Sequence, residues 1–408
     1  MRSRVVVTGL GGVSAYGLDL EGLSEALRAS SPLLSEVDRS AGYAVPGGAG
    51  RAVLVGSVDL KRVVSPLESR RMSAPSRWSV AAARLALEDA GFVPGTLPAA
   101  TGVYFATAFG AVRISEEMVG RVLREGPEAA SPMLFPETVT NAPAAQIAIV
   151  CGARGPSVTV TQREAGALIA LGMAARDVSR GRIKVAIAGA VDEASPLLHS
   201  ILDRFRALAR PGDDGREEAR PFDARRGGFL MGEGATALVL ESEESARDRG
   251  ARMRACVAAA GAAFDPTAPA SSWGAGHEQL AAGLGAKMAR EGLGIEALDR
   301  IVSGASGSVA GDRLEARTLR ALFGDRPLPP VLVPKAVTGE YGGGFLAAAI
   351  LAAGGAVFGP APGFRTPDPA CGVVPHDGAA LASPELTLVS SLAAGGAAAW
   401  VFLRRPGE

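Results

Sequence analysis

Short apolar runs bounded by Gly or Pro alternate along the chain with long Ala-, Leu- and Arg-rich stretches of helical period. That alternation predicts an α/β protein with buried strands, because strands covered by helices on both faces read as continuous apolar runs. Strands are expected at 4–8, 101–106, 157–161, 185–188, 235–241, 255–260, 301–304 and 387–391, and helices at 77–90, 112–124, 165–180, 276–290, 313–322 and 344–357. The segments 165–175 and 344–353 are apolar nearly all round, which predicts burial in a central layer between two sheets. A charged stretch, 242–254, separates two apolar halves, each opening on strand-like sequence and each holding one such helix. A duplicated architecture follows, with an N-terminal half over 1–250 and a C-terminal half over 251–408.

Composition narrows the function classes. Lys plus Arg (42) balances Asp plus Glu (42), so no summed field draws the chain to nucleic acid or to an anionic membrane. Met1-Arg2-Ser3-Arg4 runs directly into Val5-Val6-Val7, too short a run for a signal-peptide core, and a cytoplasmic protein is expected. The apolar stretch 345–358 is broken by Gly354 and Gly355 and falls short of the roughly 20 residues that span a bilayer. Cys151, Cys256 and Cys371 form no CxxC pair, which predicts neither a zinc site nor a disulfide framework. Cys151 ends the run Ala148-Ile149-Val150 and reads as a small buried hydrophobe, while His199, His277 and His376 read as surface or loop residues. Gly9-Leu10-Gly11-Gly12 follows a strand but lacks the third glycine of a dinucleotide loop, so no cofactor and no metal are expected. Asp312 reads as an N-cap for a helix from Arg313.

Several separated segments carry a more specific pattern. They are Val5-Val6-Val7-Thr8-Gly9-Leu10-Gly11, then Gly155-Pro156-Ser157, then Arg220-Pro221-Phe222-Asp223 through Gly227-Gly228-Phe229 to Gly232-Glu233-Gly234-Ala235, and finally Lys335 with Thr338-Gly339. In that order and over essentially the whole chain they resemble the β-ketoacyl synthase family, and the resemblance implies a thiolase-like fold: duplicated halves in five α-β-α-β-α layers. A condensing enzyme of this kind needs a thiolate to accept the acyl chain and two imidazoles to support decarboxylation and the oxyanion. Counted from the motifs, the nucleophile position is Glu164, the first imidazole position is Gly304 and the second is Glu340. Lys335, Asp312 and Glu315 match residues that the family places in a charged network.

The turn Glu164-Ala165-Gly166 and the run from Lys335 through Glu340-Tyr341 to Gly342-Gly343-Gly344 are similar to one branch, the chain length factors of type II polyketide systems. That resemblance implies a noncatalytic subunit, paired with a catalytic ketosynthase and served by an acyl carrier protein, that shapes the tunnel in which a polyketide or polyene chain grows. It places Met133, Leu134 and Phe135 on the dimer-facing loop and Val112, Ser115 and Val119 along one helix face at the tunnel, where two valines and a serine imply a long cavity. Two other readings stand beside it. Glu164 and Glu340 brought together would make an acid–base pair, one carboxyl raised and sharing a proton, in a malonyl-carrier decarboxylase or a hydrolase. A carboxylate is a poor acyl carrier, so Glu164 is rather expected to fill the site and pair with Arg163 or another cation; the second alternative is a homodimer that binds acyl chains or carrier protein without catalysis.

Overall fold

The computed structural model describes residues 3–18, 20–93 and 95–406. The strands are β1 (Val5–Val13), β2 (Ser35–Glu36), β3 (Arg51–Ala52), β4 (Gly102–Ala106), β5 (Ser157–Val160), β6 (Val185–Asp192), β7 (Gly234–Ser242), β8 (Ala255–Phe264), β9 (Arg300–Ser303), β10 (Val331–Leu332), β11 (Leu386–Leu392) and β12 (Ala397–Arg404). The helices are α1 (Leu20–Ala29), α2 (Pro66–Ser69), α3 (Ala74–Asp89), α4 (Val112–Glu125), α5 (Ala142–Cys151), α6 (Gly166–Ser179), α7 (Pro196–Arg204), α8 (Glu243–Asp248), α9 (His277–Arg290), α10 (Val309–Phe323), α11 (Lys335–Thr338) and α12 (Gly342–Ala353).

Strand order shows the duplication. One half runs β5-β4-β6-β7-β1 and the other β10-β9-β11-β12-β8, the same order by position in each half. The sense of pairing repeats too: the first two contacts of each five are parallel and the last two antiparallel. The fives share one edge, where Val5, Val6 and Val7 pair with Val257, Cys256 and Ala255, so ten strands form a single hydrogen-bonded sheet. Beyond Val7 the two fives diverge, and α6 and α12 fill the space between them, in one core with residues of both halves. Helix α3 with α5 covers the first five on its outer face, and α9 with α10 covers the second. This is a mixed α/β, thiolase-like fold.

The central helices are built from alanine and glycine because both of their faces meet strands at close range. Phe345, Leu346 and Ile350 of α12 are buried, and each contributes roughly 1.5–3 kcal/mol from apolar surface removed from water. The glycines of β1 have the same origin. A Cβ on Gly11 would collide with the backbone of Ala82 and Ala86, so the Gly-rich segment is a strand under a close-packed helix and not a phosphate loop.

Four details differ from the expectations. Residues 148–151 lie in α5, started by Pro143 in its first turn and stopped by Gly152 at φ 73°; Ile149 is 74% exposed and Cys151 half-buried. His199 and His376 are buried, their rings 3.4 Å from the Arg51 carbonyl and 3.2 Å from the Phe358 carbonyl. Asp312 is not an N-cap, because α10 begins at Val309 with Ser308 as its cap. Strand β12 and helices α1, α5 and α7 were not anticipated, since β12 is Ala-rich at its start and the helices are short.

Candidate functional site

The site lies where the N-terminal turn of α6 meets the loops that follow β9 and α11. Strand β5 ends at Val160, and the chain then makes a tight 3-10 turn over Arg163–Ala165 into α6. Arg163 holds φ 44°, a conformation unfavourable for a residue with a Cβ, and it aims the next side chain, Glu164, into the core. The Glu164 carbonyl accepts a 2.7 Å hydrogen bond from Ser391 Oγ, which ties the turn to β11.

Glu340 arrives from the other half. It follows Gly339 at φ 73°, and its N–H donates to the Leu230 carbonyl at 2.7 Å, in the loop after the Arg-Pro-Phe-Asp motif. Lys335, at the start of α11, places Nζ 2.7 Å from Glu340 Oε1 and 4.9 Å from the centroid of the Phe345 ring. The lysine side chain is wholly buried, so this is a close, desolvated ion pair. Glu315 of α10 accepts from Ser303 Oγ at 2.9 Å and from the Gly304 N–H at 3.1 Å. Burial pushes Glu315 up to about 7, against the opposing influence of its hydrogen bonds and of Lys335.

Glu164 has no such support. Its Oε2 is buried without a hydrogen-bond partner, and burial first, then the Glu340 carboxylate, push its carboxyl up to about 7. Three glutamates share one ammonium, and the lysine is taken by Glu340. A carboxyl in that position is held largely as the neutral acid below pH 7. Arg163 does not pair with it: its guanidinium reaches the Ala394 carbonyl at 3.5 Å. Among the described residues Glu164 has no cation within ion-pair distance, which corrects the expected salt bridge.

Gly304 leaves no room for a side chain. A Cβ there would lie 2.9 Å from the Ser390 carbonyl oxygen and 3.0 Å from both Cα and Oγ of Ser391. The backbone of β11 therefore occupies the space that a side chain at 304 would need. Asp312, expected beside Lys335, instead accepts from the N–H groups of Phe222, Ser306 and Gly307 and lies 3.8 Å from Arg226 Nε. It pins the Arg-Pro-Phe-Asp turn to α10, a structural role. Asp192, which the sequence reading missed, is buried and accepts from Ala108 N at 2.6 Å and Gly342 N at 3.2 Å; burial raises it to about 6. Its place at the end of a β-branched run is a signal too common to single it out.

The positions expected at a tunnel and interface group elsewhere, on the side of the N-terminal half that carries edge strand β5. Val112 is half-buried beside Ala49, Ala194 and Leu208, Ser115 Oγ donates to the Ala111 carbonyl at 2.8 Å, and Val119 is exposed. Met133 and Phe135 are exposed and Leu134 is half-buried. Their loop is anchored by Glu137, missed from sequence, whose buried carboxylate accepts from Ser73, Ser76 and Gln146. Phe109 is solvent-exposed and Met118 half-buried. Among the described residues no group of His, Cys, Asp and Glu is arranged to hold a metal ion, and no helix is long and apolar enough to cross a membrane.

The family model described as β-ketoacyl synthase, N-terminal domain, matches residues 2–246. The 3-oxoacyl-[acyl-carrier-protein] synthase 2 of Synechocystis sp. is 31% identical over 385 residues, covering 91% of this chain and 90% of its own. The solved ishigamide ketosynthase/chain length factor matches over 100% of both chains with a TM-score of 0.89 and 28% identity. A β-ketoacyl synthase from Burkholderia phymatum matches over 99% of this chain and 100% of its own, with a TM-score of 0.90 and 25% identity. The chain belongs to the β-ketoacyl synthase family.

Proposed function

We propose that this chain is the noncatalytic, chain-length-factor member of a ketosynthase heterodimer, acting in the cytoplasm on chains carried by an acyl carrier protein. Its two halves, 1–250 and 251–408, supply the scaffold, and the partner supplies the thiolate and both imidazoles. The observation that carries this reading is the site itself. Glu164, Gly304 and Glu340 occupy the three reactive positions, and β11 fills the space a side chain at 304 would require. Glu340, at one of those positions, is held in a 2.7 Å ion pair by the buried Lys335.

The apolar surface supports a partner. Val119, Leu123, Met133, Phe135 and Ile149 are all exposed on elements that adjoin one another beside edge strand β5. Bare hydrophobic groups next to an unpaired strand edge mark an interface, and an obligate one buries more than about 2,000 Å². Val112, Ser115 and Val119 lie on the same helix and are the side chains that would limit the length of a chain growing toward the interface.

Co-expression tests this. With an intact Cys-His-His ketosynthase of a type II polyketide system, the chain is expected to purify as a one-to-one complex, and alone to aggregate or self-associate. A monodisperse monomer that ignores every such ketosynthase would contradict it. One observation favours a rival: Glu164, poised near 7 beside Glu340, has the acidity of an acid–base catalyst. Attack by that carboxylate on a thioester would give an unstable anhydride, so the rival requires proton transfer only. It predicts malonyl-carrier decarboxylation or hydrolysis by the isolated chain, lost in Glu164→Ala.

A further inference from the structure

A groove with a volume of about 1310 Å³ runs along α6 between Leu168 and Arg180. It opens where the joined sheet forks. Strand β8 pairs with β1 only through residues 255–257, and from 258 to 264 its second edge has no strand partner among the described residues. Helix α6 lies over one face of this free edge, with Gly172 against Ala260, and α9 lies over the other, with Lys287 against Gly261. The result is a slot in the plane of the sheet, with the backbone edge of 258–262 at its base and Ile169 and Met173 in one wall.

Two features make this slot unusual. The strand from Ala255 to Phe264 carries no charge and no proline, two of the devices that ordinarily blunt a free edge, and a bulge lies at Ala258. The rim carries Arg4, Arg176, Arg180, Lys287, Arg290, Arg404 and Arg405 against Glu243, Glu291 and Glu385, in a protein of zero net charge. Arg4 and Lys287 are taken by Glu243 and Glu291, and Arg176 lies 3.7 Å from Asp177. Arg180, Arg290, Arg404 and Arg405 are exposed and have no carboxylate partner among the described residues.

We propose that this slot is a strand-addition site: it takes an extended segment of another polypeptide, apolar at alternate positions and acidic between them, along residues 258–264 of β8. The free edge supplies main-chain donors and acceptors, and the added strand's side chains alternate between the α6 side, with Ile169 and Met173, and the α9 side, with Lys287 and Arg290, where the arginines meet its carboxylates. Seven residues give a ladder of roughly 24 Å. A strand, unlike a bare aliphatic chain, satisfies the polar edge of β8 as well as the apolar wall of α6. The proposal does not depend on the chain-length-factor reading.

The test uses a fluorescein-labelled ten-residue peptide alternating valine and glutamate, titrated into the full chain and followed by anisotropy. Saturable binding is expected, weakened at least tenfold in Arg290→Glu/Arg404→Glu and in Ala262→Trp, which fills the slot. Methylating alternate amides of the peptide removes ladder bonds while keeping its charge, and is expected to abolish binding. Equal binding of the methylated peptide, or of its valine–lysine counterpart, would overturn strand addition. So would saturable binding of myristate with none of the peptide, or ready disulfide formation between two Ala262→Cys chains, which would assign the slot to a lipid or to a second copy.

Discussion

Replacing Glu164 with Gln should flatten the pH dependence of stability. The folded protein holds this carboxyl at about 7, against an ordinary value of 4.5, through burial and then through Glu340. A raised carboxyl binds its proton more tightly in the folded state, so its contribution is fully present below pH 4.5 and is lost as pH rises through about 7. At about 1.36 kcal/mol per pH unit, the loss between pH 5 and 8.5 is about 2–3 kcal/mol. Unfolding entropy of about 2.1 cal/mol/K per residue converts this to about 3 °C in Tm for a chain of this length. Glu315 and Glu233 are also raised to about 7 and titrate in both proteins, so the difference between the two profiles isolates Glu164. Calorimetry of both proteins at pH 5 and 8.5 is the assay. The native protein should lose about 3 °C more than Glu164→Gln. Parallel profiles, or a variant less stable than the native protein at pH 8.5, would refute the picture of a neutral, unpartnered acid.

Other substitutions probe the neighbouring groups. Glu340→Ala strands the buried Lys335 ammonium and should cost about 3 kcal/mol in chemical denaturation, at the low end for a broken buried pair because Glu164 and Glu315 stand near it; Lys335→Met with Glu340→Leu should recover most of the loss. Glu164→Cys should yield a thiol that alkylates in the unfolded chain yet supports no condensation in the folded one, since Gly304 and Glu340 provide no imidazole. Recovered condensing activity would count against the closed packing at Gly304. In a reconstituted complex, Val112→Phe or Val119→Phe should shorten the product as read by mass spectrometry, and an unchanged product would remove α4 from the tunnel.

Legibility followed physical cause. Runs such as Val185 to Val191 and the all-apolar α12 announce burial on every side, so their class was readable, and motif spacing pointed to Glu164, Gly304 and Glu340, of which the structure brings Glu164 and Glu340 to one buried site. Partner choice was not readable. Both Arg163 and Lys335 were eligible cations for the buried carboxylates, and only the strained turn at Arg163 decides that its guanidinium points to the Ala394 carbonyl. The same holds for α5, where an apolar β-branched run is helical because Pro143 and Gly152 bracket it, and its bare Ile149 is intelligible only beside the exposed groups of α4. The excess of arginine around β8 is invisible in a balanced composition, because charges from α6, α8, α9 and β12 and from neighbouring segments converge there.

The central claim is that this chain shapes a reaction carried out by another. Product formation by the reconstituted heterodimer, with one substitution placed in each subunit, tests it most directly. Removing the partner's nucleophilic cysteine should abolish the product, while Glu164→Ala in this chain should leave turnover within about twofold of the unaltered complex. Product that survives loss of the partner's cysteine, or disappears with Glu164→Ala in a folded complex, would place chemistry in this chain and contradict the account.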